Sequence, residues 1–207
     1  MNPGPECSNT SGTVYPCGTC DQPVAWQDRG IVNDTCNQWY HVLNVNFQPI
    51  RNKQGELINF IESRKPDIIF GTETWLDASI KDIQYFPEDY NIYRNDRNLS
   101  GGEVLIAVND AYITSSVHEL QTDCKIVSCK MEIIGHKTVY LSSYYNPKTS
   151  NEKGYTEYGI TIERASKIRR AFIISAGDFN LPGWDWSSKE IKLHTQCVAN
   201  HEKFGDI

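Results

Sequence analysis

Apolar positions along the chain change their spacing repeatedly, and this predicts alternating strands and helices. VLNVNF (residues 42–47) predicts a strand. RNKQGELINFIESR, which follows it, has apolar residues on one face at helical spacing, and Pro66 ends this predicted helix. Residues 68–70 then form a short apolar run, which is typical of a strand buried on both faces of a sheet.

The second half of the chain repeats this mixture of elements. EVLIAV (103–108), KIVSCKMEI (125–133) and TVYLSSYY (138–145) predict three strands. A helix is expected over about residues 154–170, although β-branched residues near its centre are poor helix formers. RAFIISAGDFN then predicts another buried strand. Strand–helix–strand units beside hairpin-like pairs predict an α/β sandwich, with sheets in the middle and helices outside.

Length and composition fit one sizeable packed domain with a small appendage. Of the 207 residues, 39% are hydrophobic and 11% are aromatic, fractions typical of globular rather than disordered proteins. The sequence contains no apolar run long enough to span a membrane. Its N-terminus lacks the charged start and apolar core of a signal peptide. We therefore expect an intracellular protein whose cysteines are mostly reduced.

The net charge of −6 is unusual for a nucleic-acid-binding protein, because contact with phosphates normally draws on Lys and Arg. Two interpretations remain open. Either the substrate is not a polyanion, or the acidic residues gather at a site where a divalent cation offsets their charge. Net charge by itself does not decide between them.

Polar oxygen-bearing side chains follow two of the predicted buried strands. Glu73 comes after residues 68–70, and Asp178 and Asn180 come after the strand in RAFIISAGDFN. In extended chain, Asp178 and Asn180 would point to the same side. Such carboxylates are costly to desolvate unless they are paired or bind a metal, and oxygen ligands suit Mg²⁺. The alternative is that these are ordinary strand caps, since loops often begin with Asp or Asn.

Five segments together resemble the endonuclease/exonuclease/phosphatase superfamily, specifically the endonuclease of LINE-type non-LTR retrotransposons. They are LNVNFQPIRNKQGEL, KPDIIFGTETWL, YRNDRNLSGGEVLIAV, YLSSYYNPK and IISAGDFNLPGWDW, and they cover about residues 42–186. The resemblance implies a four-layer αββα sandwich. It also implies hydrolysis of DNA phosphodiesters with Mg²⁺ (Mn²⁺ as an alternative), a nick that leaves a 3′ hydroxyl, and no small-molecule cofactor. A protein that cuts genomic DNA is expected in the nucleus.

The same resemblance implies roles for individual residues. Asn46 is similar to the asparagine that helps to hold the metal, and Glu73 to the principal Mg²⁺ ligand. Tyr145 resembles the tyrosine that contacts the scissile phosphate, and Asp178 the carboxylate that aligns or activates the attacking water. Asn180 resembles the donor that stabilises charge on the phosphate oxygen. These assignments predict that Asn46, Glu73 and Asp178 converge on one pocket.

Several of these residues also have plain structural interpretations. Asn46 could cap a turn, and either Tyr145 or its neighbour Tyr144 should be buried, because adjacent strand residues face opposite sides. Arg94, Asp96 and Arg97 match an RxDR substrate loop by resemblance, but the two arginines could equally be a solvated surface pair. Packing is favoured over base stacking for the two tryptophans of LPGWDW, Trp184 and Trp186.

Two departures from the family pattern argue for impaired catalysis. The family ends in a Ser-Asp-His segment, whereas this sequence ends in KFGDI. We therefore expect a C-terminally truncated domain with an unpaired strand edge, in which His201 is a surface residue. Glu103 stands where the family generally has a glycine, and its side chain is expected to disturb a tight turn.

The first 41 residues resemble a degenerate PHD-type zinc finger. Cys17 and Cys20 have C-x₂-C spacing, and Cys36 and His41 lie in a C-x₂-W-x-H pattern. Asn33 occupies a position that is normally a cysteine. We expect residues 1–41 to be largely disordered, with at most weak zinc binding by Cys17, Cys20 and His41, and residues 42–207 to form the truncated nuclease domain.

The leading hypothesis is a Mg²⁺-dependent DNA endonuclease of retroelement origin. The first alternative is a catalytically dead remnant with at most weak metal or DNA binding. A phosphatase acting on inositol phosphates or lipids is a second alternative. The sequences GTETWL and LPGWDW argue against it. A PHD-like chromatin-binding module is a third, and zinc stoichiometry would test it. The sequence does not indicate an oligomeric state.

Overall fold

The computed structural model describes residues 30–33, 38–48, 50–96 and 103–207, which form two large β-sheets packed face to face between helices and a small two-stranded sheet. The strands are β1 (Gly30–Asn33), β2 (Gln38–Asn46), β3 (Ile68–Thr72), β4 (Tyr90–Asn95), β5 (Val104–Asn109), β6 (Ile113–Ser116), β7 (Lys125–Glu132), β8 (Thr138–Tyr145), β9 (Ala171–Asp178), β10 (Trp184–Asp185) and β11 (Glu190–Ile191). The helices are α1 (Gln54–Arg64), α2 (Glu152–Ser166) and α3 (Val198–Gly205), with 3₁₀ turns at Ile50–Asn52, Asp82–Gln84 and His118–Leu120.

Each large sheet contains one parallel pair of strands that is connected through a helix. The first sheet has the order β1-β2-β3-β5-β4, and α1 connects the parallel strands β2 and β3. The second sheet has the order β6-β7-β8-β9, and α2 connects the parallel strands β8 and β9. The remaining neighbours in both sheets are antiparallel. Parallel pairing brings the carboxyl ends of β2 and β3 together, and likewise those of β8 and β9.

The main hydrophobic core lies between the two sheets. It is built from the inward-facing side chains Tyr40, Ile68, Phe70, Val104, Ile106, Val108, Val127, Cys129, Met131, Val139 and Leu141. Ser143 of β8 donates a hydrogen bond from Oγ to the carbonyl of Gly71 in β3, at 3.2 Å. A side chain at Gly71 would lie 2.6 Å from the Phe47 ring, so this position in β3 requires glycine.

Helices cover the outer face of each sheet. Leu57 and Ile61 of α1 pack on the first sheet, and Tyr158 and Ala165 of α2 pack on the second. The layers are therefore helix, sheet, sheet and helix, which confirms the predicted αββα sandwich. None of the helices within the described ranges has the length and apolar character needed to cross a bilayer.

The helices begin and end for local reasons that are visible in the sequence. α1 ends at Arg64, and Lys65 adopts a left-handed conformation (φ 43°) directly before Pro66, which cannot continue the helix. α2 begins at Glu152 because the Asn151 side chain accepts a hydrogen bond from the amide of Gly154, at 3.3 Å. The β-branched residues of α2 are tolerated because its buried face packs against the sheet.

Six strands differ from the sequence-based expectation: β2 is longer than predicted, and the sequence analysis did not predict β1, β4, β6, β10 and β11. β2 begins at Gln38 rather than near residue 42, since its first half pairs with β1, and the predicted domain boundary therefore falls inside a strand. The division into residues 1–41 and 42–207 stays a prediction, because residues 1–29 lie outside the described ranges. β4 was not predicted, because YNIYRN lacks a clear apolar alternation and its strand conformation depends on pairing with β5.

Candidate active site

Three polar side chains from separate parts of the sequence meet where the two sheets end. Asn46 is the last residue of β2, Glu73 follows β3 and Asp178 is the last residue of β9. Asn46 Nδ2 donates one hydrogen bond to Glu73 Oε1 at 2.9 Å and another to Asp178 Oδ2 at 3.3 Å. One amide therefore joins carboxylates that belong to different sheets, and the predicted convergence of the three residues is observed.

The orientation of the Asn46 amide follows from the chemistry of its neighbours. An amide carries donors on nitrogen and acceptors on oxygen, whereas an ionised carboxylate only accepts. An oxygen of Asn46 facing both carboxylates would be repelled, so the nitrogen must face them. Asn46 thus holds Glu73 and Asp178 close together, and two negative charges at this separation favour a nearby cation.

Tyr145 completes the group, and it is Tyr144 that belongs to the core. Tyr145 lies opposite Asp178 in the register of β8 and β9, whereas Tyr144 is fully buried on the other face. Partial burial, followed by the negative charge of Glu73 and a hydrogen bond with it, raises the pKa of Tyr145 to about 12. Its hydroxyl therefore stays protonated near neutral pH and can donate a hydrogen bond to an anion.

The backbone leaves the ordinary conformational regions on both sides of the site. Glu73 and Asn180 have φ values of 52° and 51°, in the left-handed region that disfavours most side chains. Gly177 has a φ of 136°, and a Cβ there would lie 1.9 Å from the carbonyl oxygen of Tyr144. Strained residues of this kind persist where the surrounding structure holds them, and they cluster at functional sites.

The segment after β9 turns instead of remaining extended, so the prediction that Asp178 and Asn180 point to one side of an extended chain is wrong. The backbone N–H of Asn180 donates to Asp178 Oδ1 at 2.9 Å, which closes a tight turn. Thr149 Oγ1 donates to the Asn180 carbonyl at 2.7 Å. The Tyr155 hydroxyl donates to the Phe179 carbonyl at 3.0 Å. Neighbouring elements thus fix the loop that carries both residues.

Helix α3 also packs against the loop after β9. The expectation that its residue His201 lies at the surface is wrong. His201 is fully buried, and its Nε2 accepts a hydrogen bond from the backbone N–H of Gly183 at 3.2 Å. Its Nδ1 lies 3.0 Å from the Cys197 carbonyl. Both ring nitrogens of His201 are therefore engaged by backbone groups. Asn200 Nδ2 donates to the carbonyl of Thr149 at 2.7 Å.

Of the three residues that resemble an RxDR substrate loop, the structure describes Arg94 and Asp96. Arg94 Nη1 lies 2.8 Å from Asp82 Oδ1, and Nη2 lies 2.9 Å from Asp96 Oδ2. Nη2 also donates to the Ile80 carbonyl at 3.1 Å. The Arg94 side chain is 14% exposed, so it is not a solvated surface residue, and its charge is already matched by two carboxylates. Arg97 lies outside the described residues.

Glu103 adds a third carboxylate beside the site. Its side chain is 2% exposed, and its backbone carbonyl accepts a hydrogen bond from the Glu73 N–H at 3.0 Å. The charge of Glu103 contributes, after several larger causes, to the raised pKa of Tyr145. Glu103 is therefore packed inside the molecule next to the residues that form the site. Its expected effect on a turn stays a prediction, because residues 97–102 lie outside the described ranges.

The donor set fits a hydrated cation better than a closed metal cage. Across the described ranges, no three His, Cys, Asp or Glu side chains form a group that could hold a metal ion. Glu73 and Asp178 nevertheless supply two carboxylates in one place. Mg²⁺ usually takes one or two carboxylates and completes its shell with water and substrate phosphate, so these residues suit it.

Of the three predicted zinc ligands, His41 is the one within the described residues. Cys17 and Cys20 are outside the described residues, so zinc binding stays a prediction. His41 is in β2, five residues before Asn46, which places it about 17 Å from Asn46 along the strand. Any zinc site that uses His41 would therefore be distinct from the acidic site.

The two tryptophans of LPGWDW pack within an aromatic cluster, as predicted. The ring of Trp184 lies 5.5 Å from that of Phe204, and the ring of Trp186 lies 5.6 Å from those of both Phe179 and Phe204. This cluster joins the loop after β9 to α3. It therefore contributes to the placement of Asp178 and Asn180.

Solved structures share this architecture at low sequence identity. The endonuclease domain of TRAS1, a telomere-specific non-LTR retrotransposon, superposes with a TM-score of 0.58 at 22% identity, covering 80% of this chain and 69% of that domain. The AP endonuclease LMAP from Leishmania major gives a TM-score of 0.58 at 12% identity, covering 80% of this chain and 64% of that one. The 3'-5' exonuclease NExo from Neisseria meningitidis gives 0.53 at 15% identity, with 80% and 70% covered.

These likenesses establish the fold of this chain, which is that of the endonuclease/exonuclease/phosphatase proteins. No protein-family model matches the sequence, and a comparison with curated proteins finds no significant match.

Proposed function

We propose that this chain hydrolyses phosphodiester bonds in DNA with the help of Mg²⁺ held near Glu73 and Asp178. One observation carries the proposal: the Asn46 amide joins two carboxylates from different sheets at the shared end of the sandwich. The fold supports it, because the similar structures include an endonuclease domain, an AP endonuclease and an exonuclease. A cation at this position also reconciles the net charge of −6 with a polyanionic substrate.

The chain's own residues divide the work of hydrolysis. Asp178, fixed by Asn46 and by the turn at Asn180, orients the attacking water and accepts its proton. The Asn180 side chain and the protonated Tyr145 hydroxyl donate hydrogen bonds to non-bridging phosphate oxygens, whose charge increases in the transition state. Glu73, with the help of Asn46, holds the cation. When bound, Mg²⁺ shields the phosphate charge and stabilises the leaving oxygen.

We further propose that turnover is slow. In the parts of the chain that the structure describes, no hydrogen bond joins a histidine to Asp178 or Tyr145, and the buried His201 is engaged by Gly183 and Cys197. A general acid or base of this kind typically contributes about 10²–10⁴-fold to a rate. The second candidate function is binding of metal or DNA without cleavage. It is favoured by the same lack, among the described residues, of a histidine bonded to Asp178 or Tyr145.

The similarity to the TRAS1 domain supports a retroelement origin of the LINE type. If the substrate is genomic DNA, the protein acts in the nucleus. Mn²⁺ is the expected substitute for Mg²⁺, because both accept oxygen ligands.

Plasmid nicking with Mg²⁺ tests the proposed site. We expect nicking by the unmodified chain and its loss in both Glu73→Gln and Asp178→Asn, which remove charge while keeping shape. Glu62→Gln is the matched control, because Glu62 is an exposed residue of α1. If nicking survives Glu73→Gln and Asp178→Asn, the site is wrong.

If the chain does not nick plasmid, calorimetry with Mg²⁺ or Mn²⁺ tests whether it still binds metal. Binding of Mg²⁺ or Mn²⁺ that disappears in Glu73→Gln would support the non-catalytic candidate. If neither nicking nor such binding is found, both DNA hydrolysis and metal binding at this site are excluded.

A further inference from the structure

Trp75 is a partly exposed tryptophan close in sequence to the candidate site. It follows Glu73 by two residues and is 45% exposed, an unusual degree for the largest apolar side chain. Its φ is 58°, so a bulky residue occupies the left-handed region. This conformation is a clear outlier for a side chain of this size.

The structure holds the backbone around Trp75 in this strained state. Arg51 Nε donates to the Trp75 carbonyl at 2.9 Å, and Arg51 Nη2 pairs with Asp77 at 2.5 Å. On either side of the tryptophan, Thr74 and Leu76 are 2% and 1% exposed. Two neighbours are anchored inward while the residue between them is turned outward, so the segment places the indole at the surface on a rigid base.

The position of Arg51 connects the Trp75 segment to the acidic site. Arg51 lies in the 3₁₀ turn directly after β2, five residues after Asn46, and Trp75 lies in the segment directly after β3. The carboxyl ends of β2 and β3 are adjacent, since Asn46 pairs with Thr72. Trp75 is therefore supported by the same two strand ends that supply Asn46 and Glu73.

We propose that Trp75 is a nucleobase-binding platform, on which a base beside the scissile phosphate stacks. The proposal rests on the proposed function and names the part of the substrate that Trp75 recognises. A chain of net charge −6 gains little from counterion release. Base–aromatic stacking requires no positive charge, and it tolerates any sequence because every base has an aromatic face. A fixed indole beside a phosphate-binding site supplies this contact.

The test is a double-mutant cycle between Trp75 and the DNA, read as binding rather than cleavage. The full chain carrying Asp178→Asn is titrated with end-labelled duplexes in which one abasic nucleotide is moved along one strand. With Trp75 present, we expect the abasic nucleotide to weaken binding about ten-fold at one position and to have little effect elsewhere. In Trp75→Ala that position-specific loss should disappear, whereas Trp75→Phe should keep most of it.

Phe60→Ala is the matched control, because Phe60 is a similarly exposed aromatic residue (41%) that lies in α1. Its titration should show the same position-specific loss as the chain with both aromatic residues. Thermal unfolding of each variant checks that folding is intact.

The outcomes separate this proposal from the proposed function. A positional effect that is equally large with Trp75 present and in the Trp75→Ala variant overturns the platform even if the chain nicks plasmid. Coupling at one position in a chain that never nicks supports the platform and rejects hydrolysis. Absence of DNA binding in every variant overturns both.

Discussion

Tyr145 and Asp178 lie directly opposite each other at the carboxyl ends of β8 and β9. Because these strands are parallel and joined through α2, both side chains reach the end of the sandwich where Asn46 and Glu73 also lie. The negative charges there help to raise the pKa of Tyr145, after the larger effect of burial. The site therefore combines a hydroxyl that stays protonated with carboxylates that stay close together, an arrangement suited to binding a phosphate through a cation.

Removing the Asn46 amide should weaken catalysis more than folding. Asn46 is exposed, but it donates to two carboxylates, and hydrogen bonds to charged groups are worth about 1.5–3 kcal/mol. Asn46→Ala is therefore expected to lower the nicking rate about ten- to hundred-fold, with little change in urea midpoint. Asn91→Ala, at an exposed position of β4, should leave the rate unchanged. An equal effect of both substitutions would contradict the assigned role.

Alkaline stability should fall between about pH 10 and pH 12. Burial raises the pKa of Tyr145, Tyr155 and Tyr158 to about 12, from an ordinary value of 10. Above pH 10 the unfolded chain loses these protons while the folded chain keeps them, so the free energy of unfolding decreases as pH rises through this window. Below pH 10 the contribution is complete. Urea unfolding at a series of pH values, with tyrosinate absorbance as a second probe, measures this.

Tyr158→Phe provides the check on that assignment, because Tyr158 is buried and the substitution keeps the aromatic ring while removing the hydroxyl. This substitution should reduce the loss of stability above pH 10. An unchanged pH profile would show that the loss comes from other groups.

His201→Ala should destabilise the fold through an unsatisfied amide. The Gly183 N–H is buried and donates to His201 Nε2, and an orphaned buried donor costs about 1–3 kcal/mol in addition to the cavity that the substitution leaves. Urea denaturation measures the change in the free energy of unfolding. His194→Ala is the control, because His194 is exposed. Equal stability of the two variants would mean that His201 is not held as described.

Two glycine substitutions should have opposite effects. Gly177→Ala forces a Cβ against the Tyr144 carbonyl at a φ of 136°, so we expect a loss of at least about 2 kcal/mol and misplacement of Asp178. Gly55→Ala, in α1, meets nothing within 4 Å and should stabilise by about 0.4–1 kcal/mol. Denaturation and nicking assays compare the two. A Gly177→Ala variant with normal stability would contradict the close approach of β8 and β9.

The sequence alone indicated the general architecture. Apolar runs of strand length, helical spacing between two of them and polar residues after strand ends are local properties, and they indicated an α/β sandwich, whereas the family resemblance implied the four αββα layers. The same local logic placed Glu73 and Asp178 at strand ends. It did not find β4, whose conformation depends on pairing with β5, nor the strained Trp75, whose backbone is held by Arg51 from another segment.

Tertiary structure alone decided how these residues meet. Periodicity states that one of Tyr144 and Tyr145 is buried, but only the packing of α2 selects Tyr144. Likewise, no local pattern shows that His201 is enclosed beneath Gly183, or that the Asn46 nitrogen reaches carboxylates 27 and 132 residues away. Residues far apart in sequence become neighbours only when two sheets pack, and this contact is a property of the assembled layers rather than of any segment.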